Sequence, residues 1–231
     1  MAADVVVIGG TSGLGYGLAA AYRSQGARVT ISGRDEARAA SVAAELGGEA
    51  RGIGVDLTRP DSIAAALEAT ERVDRLALVA VDRDQNSVAE YDLDQALRLV
   101  TLKLVGYTEV VHQLAHRLAL DASILLFGGL AKDRPYPGST TVTTVNGAVA
   151  TLIRTLAIEL APVRVNAIHP GIVADTPFWS GKEEFLANVR ARTPTGRNVV
   201  AKEIVDAAVF LLENPAINGV NLEVDGGWTM L

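Results

Sequence analysis

The chain has 231 residues, of which 49% are hydrophobic and 21% charged, and it contains no cysteine. This composition is typical of a globular protein and excludes a disordered or fibrous chain; the lack of cysteine excludes disulfides, zinc–thiolate sites and a thiol nucleophile. The net charge of −6, without any cluster of lysine or arginine, argues against nucleic acid as a partner.

Short β-branched segments alternate with longer segments of helical periodicity. Strands are predicted at 5–8, 29–31, 52–55, 76–79, 124–127, 163–168 and 220–224. Helices are predicted at 14–25, 35–46, 61–70, 93–118, 140–160 and 201–212. This alternation predicts a single α/β domain over 1–231, with about seven strands in a doubly wound parallel sheet and helices on both faces. The stretch 172–200 has no clear periodicity and is either a substrate lid or a surface insertion.

Two further features bear on where the protein works. The N-terminus shows no basic segment followed by a cleavage site, and no apolar run approaches the about 20 residues that span a bilayer. We therefore expect a soluble, cytoplasmic protein that does not bind a membrane.

A glycine-rich turn follows the first predicted strand and opens the first predicted helix. Its residues are Gly9, Gly10, Thr11, Ser12, Gly13, Leu14 and Gly15. Glycine is needed where backbone turns tightly or approaches a pyrophosphate, and the N-terminus of a helix attracts an anion. The position of the turn favours a Rossmann-type dinucleotide site over an ordinary strand-to-helix connection.

The end of the second strand indicates which dinucleotide binds. An acidic residue there would hold a ribose 2′-hydroxyl, whereas an arginine accommodates a 2′-phosphate. The chain has Ser32, Gly33 and Arg34 at this point, and the next residue, Asp35, is better interpreted as a cap of the following helix. NADP(H) is therefore the expected cofactor, although Arg34 in isolation is also compatible with a solvated surface residue.

Three later motifs accompany the glycine turn: Asp56-Leu57, His169-Pro170-Gly171 and Val224-Asp225-Gly226-Gly227. With these motifs in this order and spacing, the whole chain resembles the short-chain dehydrogenase/reductase family. The resemblance implies that Asp56 and Leu57 meet the adenine and that Val79, Ala80 and Val81 lie along the cofactor. It also implies that the segment 170–176 surrounds the nicotinamide, through Pro170, Gly171, Ile172, Val173 and Thr176.

The resemblance further implies an Asn-Ser-Tyr-Lys catalytic tetrad, from which this chain departs at every position. The corresponding residues are Thr101, Gly129, Val142 and Asn146. Asn146 could still donate to a ribose hydroxyl of the cofactor. Tyr136 is the nearest tyrosine, and it is either a displaced proton donor or an aromatic plug between Pro135 and Pro137.

Several other residues allow a functional and a structural interpretation. His112 and His116 are spaced as in some metal sites, but no third ligand is evident, so no metal is expected. The loop charges Lys132, Asp133, Asp82, Arg83 and Asp84 are expected to be solvated. Trp179 beside Phe178 would form either an apolar lid or ordinary packing.

Two functions from different classes fit these residues. The first is an NADP(H)-dependent oxidoreductase with a non-standard active site, acting on a small carbonyl, alcohol or enone. The alternative is a catalytically silent NADP(H)-binding sensor or inactive partner subunit. The resemblance also implies a homodimer or homotetramer, because the family commonly associates through the helices here at 93–118 and 140–160 and the C-terminal strand.

Overall fold

The computed structural model describes residues 2–82 and 84–231, and a seven-stranded sheet runs through it. Its strands are β1 (Asp4–Ile8), β2 (Arg28–Gly33), β3 (Ala50–Gly54), β4 (Val73–Leu78), β5 (Leu118–Phe127), β6 (Arg164–Pro170) and β7 (Asn221–Val224). They lie in the order β3-β2-β1-β4-β5-β6-β7, and each neighbouring pair is parallel. This confirms the predicted fold class.

The connections between strands are mostly helical. The α-helices are α1 (Gly13–Ser24), α2 (Glu36–Leu46), α3 (Ile63–Leu67), α4 (Leu93–Val100), α5 (Tyr107–Leu114), α6 (Thr140–Glu159), α7 (Glu183–Arg192) and α8 (Ala201–Glu213). A π-helical turn, Thr101–Gly106, joins α4 to α5.

The sheet is buried on both faces, because successive side chains of a strand point to opposite sides. Val6 and Ile8 of β1 pack in a core with residues of α3, α5 and α6. Val5 and Val7 pack on the other face with residues of α1 and α8. The continuously apolar strands that the sequence shows follow from this double coverage.

Besides shifts in strand boundaries, the largest of which starts β5 at Leu118 instead of residue 124, three predictions differ from the structure. The helix predicted at 93–118 contains the π turn and ends in a 3₁₀ turn at 115–117, because Leu118 already begins β5 and lies opposite Val73 of β4. The helix predicted at 61–70 is shortened to α3, because the segment opens with a 3₁₀ turn at Pro60–Ser62. Within 172–200 the structure contains α7, which the sequence analysis missed.

Helix α6 has the length and apolar composition that a membrane-spanning helix needs, contrary to the expectation that no apolar run approaches this length. Its buried residues include Val145, Val149, Ile153 and Leu156, and the helix packs against β5 and β6 of the sheet. A helix that covers a sheet in this way can have the same length and apolar composition as a membrane-spanning helix.

Candidate functional site

The turn between β1 and α1 brings backbone unusually close to backbone. Gly9 has a φ of +89°, and a Cβ on this residue would lie 2.6 Å from Ala80 N at the end of β4. A Cβ on Gly15 would lie 2.1 Å from the carbonyl oxygen of Gly9. Glycine is therefore required at both positions for α1 to start directly against the turn.

This turn lies where the chain reverses its direction through the sheet. From β1 the chain moves to β2 and β3 on one side, and it returns to β4 on the other side of β1. In open parallel sheets, ligands bind at such a point, outside the carboxyl ends of the strands. Ser12 is the N-cap of α1, and no described side chain caps that helix, so its first N–H groups can meet an anion.

The end of β2 forms one wall of this cleft. The buried hydroxyl of Ser32 accepts a hydrogen bond from Gly9 N at 3.2 Å. A Cβ on Gly33 would lie 2.8 Å from Cγ2 of Thr11, so the absence of a side chain lets the two segments meet. Asp35 accepts a hydrogen bond from Arg38 N at 3.0 Å and is the N-cap of α2, which confirms its predicted role. The side chain of Arg34 is left exposed beside the turn.

Asp56 follows β3 and is held in a fixed orientation. Its Oδ1 accepts hydrogen bonds from Thr58 N at 3.0 Å and Thr58 Oγ1 at 2.7 Å. Burial alone would raise the pKa of Asp56, but the bonds from Thr58 and the charges of Arg98 and Arg34 outweigh it and lower that pKa. Asp56 is therefore ionised and directed by its own turn, while the next residue, Leu57, is buried in the core.

The segment after β4 forms the opposite wall. Val79 is buried, Ala80 is half-buried, and Val81 is 63% exposed. The amides of Val79 and Ala80 both donate to Ile8 O, at 2.9 and 3.0 Å, and this pins the segment to β1.

The positions that the sequence assigned to the tetrad come together only in part. A Cβ on Gly129 would lie 2.8 Å from Nδ2 of Asn146, so these two residues are in contact, and Asn146 is buried. Val142 lies one turn earlier on α6 and is half-buried. Thr101 is half-buried where the π turn begins. Neither Gly129 nor Val142 carries an ionisable group, so general acid chemistry has no donor at either position.

His169 is buried directly beneath Gly129. Its Nδ1 accepts a hydrogen bond from Gly129 N at 3.1 Å, so the hydrogen lies on Nε2, which is 2.9 Å from Oδ1 of Asn221 and donates to it. Burial lowers the pKa of His169 below its usual value, although the bonds from both neighbours oppose the shift. A neutral imidazole with both nitrogens engaged fixes the loop rather than transferring a proton.

Tyr136 lies in the loop between Gly129 and α6. Its side chain is 51% exposed, which argues against an aromatic plug enclosed by the two prolines. Its backbone carbonyl accepts a hydrogen bond from Ser139 Oγ at 2.6 Å, which shapes the loop that presents the phenol to solvent. The role of Tyr136 as a displaced proton donor stays a prediction.

Lys132 and Asp84 are not simply solvated, contrary to expectation. Nζ of Lys132 contacts Oδ2 of Asp133 and lies 2.8 Å from Oε1 of Glu223 on β7, so it ties the loop to the edge strand. Asp84 is 6% exposed, and its Oδ2 accepts a hydrogen bond from the buried amide of Asn86 at 3.0 Å. Both groups therefore organise loops at the carboxyl edge of the sheet.

The other charges after β4 fall into two cases. Asp82 forms an ion pair with Arg98 at 2.7 Å on the surface of α4. Arg83 lies outside the described residues.

The segment after β6 turns across the end of the sheet. A Cβ on Gly171 would lie 2.9 Å from Cα of Asp225, so glycine allows the two segments to cross. Val173 is buried, and its carbonyl oxygen accepts a hydrogen bond from Oγ1 of Thr176 at 2.9 Å. Pro170 and Ile172 are both half-buried beside them. Contact of these residues with a nicotinamide stays a prediction.

Aromatic side chains cluster in the possible lid at 172–200. The rings of Trp179 and Phe185 stack with centroids 4.9 Å apart, and Phe178 meets Trp179 edge-on at 4.6 Å. Nζ of Lys182 lies 3.7 Å from the centre of the Phe178 ring. Phe178 and Phe185 remain 38% and 43% exposed, so the cluster packs against itself and leaves apolar surface uncovered.

A buried pair where the π turn meets α5 escaped the sequence analysis. Lys103 is 2% exposed, and its Nζ lies 3.2 Å from the hydroxyl of Tyr107, which donates to Ala80 O at 2.7 Å. The sequence did contain a signal, because Lys103 occupies the buried stripe that also carries Leu99 and Leu114.

His112 and His116 do not form a metal site with other residues. His112 is on α5, whereas His116 lies in the 3₁₀ turn that follows, where its Nε2 accepts a hydrogen bond from Arg117 at 3.1 Å. Within residues 2–82 and 84–231, no group of three or more histidine, aspartate or glutamate side chains could hold a metal ion.

This chain is similar to known proteins over nearly its whole length. Residues 9–229 match the family model described as Enoyl-(Acyl carrier protein) reductase. The "Inactive 2-(S)-hydroxypropyl-CoM dehydrogenase 2" of Xanthobacter autotrophicus is 31% identical, over 89% of this chain and 96% of that protein.

Two solved structures are similar to this chain over almost all of its residues. A 3-ketoacyl-(acyl-carrier-protein) reductase from Brucella melitensis, complexed with NADH, has a TM-score of 0.88 and 28% identity, covering 98% of both chains. A small-chain dehydrogenase in complex with NADPH has a TM-score of 0.86 and 25% identity, covering 100% of both chains.

Proposed function

Because the chain belongs to the short-chain dehydrogenase/reductase family, we propose that it binds NADP(H) in the cleft between β1 and β4 and works as an oxidoreductase. The contact between the glycine turn and Ala80 carries this proposal. At Gly9 and Gly15 a single methyl group would collide with backbone. A turn that must be glycine in this way is typical of a site where backbone approaches a pyrophosphate closely.

The preference for NADP(H) over NAD(H) rests on the end of β2. Arg34 is exposed beside the turn, and Gly33 stands where an acidic residue would bind a 2′-hydroxyl. A guanidinium paired with a 2′-phosphate forms a charge-assisted contact worth about 1.5–3 kcal/mol. Because the structural relatives include complexes with NADH and with NADPH, this preference depends on Arg34 itself.

The remaining contacts to the cofactor follow from the walls of the cleft. The open N–H groups of α1 would hold the pyrophosphate, and Asp56 would accept from the adenine amino group. Asn146 would donate its amide to a ribose hydroxyl next to Gly129. A bound nicotinamide supplies or accepts the hydride, while the protein orients the substrate and provides the proton.

The substrate is a small carbonyl, alcohol or enone enclosed by the segment 172–200. The exposed faces of Phe178 and Phe185 would cover its apolar part, and the exposed phenol of Tyr136 would be the proton donor. Loss of a positioned acid typically costs about 10²–10⁴ in rate, so ordinary ketones should react slowly.

A second candidate function is supported by the tetrad positions themselves. Gly129 and Val142 cannot exchange a proton, and one relative at 31% identity is named inactive. A catalytically silent NADP(H)-binding sensor or partner subunit would have the same cofactor cleft with no turnover.

Substrate-dependent oxidation of NADPH separates the two functions. We expect NADPH to bind, and a panel of small ketones and enones to be reduced slowly. Rebuilding the site with the triple variant Gly129→Ser, Val142→Tyr and Asn146→Lys should accelerate reduction of simple ketones. Asn146 must change with Gly129, because a Cβ on Gly129 would press on its amide. If the native protein binds NADPH but reduces none of the panel substrates, the silent function is favoured.

We also propose a homodimer or homotetramer formed through the helical stretch 93–117, α6 and the edge strand β7. Leu97, Val105 and Ile158 are apolar and at least half exposed on these elements. Sedimentation that shows only a monomer at micromolar concentration would contradict the assembly.

A further inference from the structure

The most unusual group outside the proposed cofactor contacts is the amine of Lys103. The side chain is 2% exposed and lies among the buried residues of the π turn, where lysine is rarely found without a partner. Its described hydrogen-bond partner is the hydroxyl of Tyr107, one helical turn later.

The charges near Lys103 do not explain its burial. The π turn packs against α4, α5, α6 and the turn at 60–62. Besides Tyr107, the titratable groups that these elements carry are Asp61, Asp94, Arg98, Glu109, His112, Arg154 and Glu159. Burial alone nevertheless accounts for the altered pKa of Lys103 among the described residues, and this pKa falls to about 7. Tyr107 is the titratable group that contacts it, and burial raises the pKa of Tyr107 well above its usual value, so its phenol stays protonated.

The pair is connected to the dinucleotide cleft through consecutive contacts. The Tyr107 hydroxyl donates to Ala80 O, and Ala80 N donates to Ile8 O. Ala80 N also lies 2.6 Å from the position that a Cβ of Gly9 would take. Ala80 is thus clamped between the Tyr107 hydroxyl and the glycine turn.

The protonation state of the amine decides where the Tyr107 proton points. An ammonium group has three donors and no acceptor, so beside it the Tyr107 hydroxyl must direct its hydrogen to Ala80 O. A neutral amine offers a lone pair that competes with Ala80 O for the same hydrogen. The positive charge also favours an anionic ligand in the cleft, so both effects strengthen dinucleotide binding when Lys103 is protonated.

We propose that Lys103 is a positioning residue for the dinucleotide cleft: its protonated amine holds the Tyr107 hydroxyl on the Ala80 carbonyl and thereby fixes the wall against which Gly9 packs. This inference rests on the proposed cofactor function. Above neutral pH, dinucleotide binding then takes up a proton at Nζ. The affinity decreases as the pH rises and the free protein loses that proton.

The test is a fluorescence titration of the protein with NADPH at pH 6.5, 7.5 and 8.5. NADH is the second probe, because it lacks the 2′-phosphate, which itself changes protonation with pH. We expect the Kd of both probes to rise about three- to tenfold over this range, as the loss of one buried hydrogen bond implies. Lys103→Met and Tyr107→Phe should each abolish most of this rise.

Two controls keep the outcomes distinct. Lys202→Met removes an exposed lysine of α8 that pairs with Asp206, and it should retain the native pH profile. Tyr107→Phe removes only an oxygen, so it tests the contact even where Lys103→Met impairs folding. A pH-independent Kd in the native protein, or an unchanged slope in both variants, overturns the role of Lys103 and leaves the cofactor site standing. Failure of the native protein to bind either probe at every pH overturns both proposals.

Discussion

The contact at the start of α1 allows a sharp test of the cofactor cleft through Gly15→Ala. The added Cβ would lie 2.1 Å from the carbonyl oxygen of Gly9, whereas real contacts of this kind stay beyond 3.0 Å. The helix or the turn must therefore move by about 0.9 Å. Neither partner is a flexible side chain, so the displacement falls on the backbone that would hold the pyrophosphate.

The expected cost follows from this geometry. Forcing an extra methyl group into a packed position typically costs about 1–3 kcal/mol of stability. A dinucleotide at about 100 times its Kd would add about 2.7 kcal/mol to the stability of the native protein, and the variant should lose most of this gain. Urea denaturation with and without NADPH measures both quantities.

Gly147→Ala is the matched control, since this glycine lies within α6 and a Cβ there would meet nothing within 4 Å. Alanine in a helix interior is favoured over glycine by about 0.5–1 kcal/mol, so this variant should be slightly more stable and bind NADPH normally. Equal stability and equal NADPH affinity in Gly15→Ala and the native protein would refute the reasoning about the turn.

The remaining predictions concern three side chains. Arg34→Ala should weaken NADPH by about tenfold or more and leave NADH nearly unchanged, measured by fluorescence titration; equal native affinities for the two would contradict the assignment. Tyr136→Phe should abolish whatever native reductase activity is found while the circular dichroism spectrum stays the same; brisk turnover by this variant would exclude the phenol as donor. The free energy of unfolding should rise with pH between about 7 and 10.5, because the unfolded chain keeps Lys103 protonated where the folded protein does not. Lys103→Met should lack this rise of up to about 1.4 kcal/mol per pH unit in urea denaturation, and an identical profile in both proteins would contradict it.

The parallel sheet and the glycine turn could be predicted because their signals are local. A buried strand such as β1 must be continuously apolar, and a turn that packs backbone on backbone must be glycine, so both features are visible in the sequence. The capping role of Asp35 follows in the same way from its place before a helix.

What escaped prediction depends on contacts between distant segments. Helix α7 has a single buried residue, Val189, so its sequence shows no apolar stripe. Asp84 is acidic and lies in a loop, yet its burial depends on the fold of the loop around Asn86. Lys103 broke an otherwise apolar stripe, but its contact with Tyr107 and Ala80 depends on the π turn and the end of β4.

The order of the strands also bears on how the chain reaches this structure. Of these seven strands, β1 comes first in chain order and is flanked by β2 and β4, whereas β7 comes last and pairs with β6 at one edge of the sheet. Assembly can therefore spread from the middle of the sheet as synthesis proceeds, and β6 keeps an open edge until residues 221–224 arrive. Parallel pairing across long connections is slow, and an unpaired edge invites aggregation. A chain truncated before β7 should therefore be recovered mainly in aggregates, even though every residue of the proposed cofactor contacts is present.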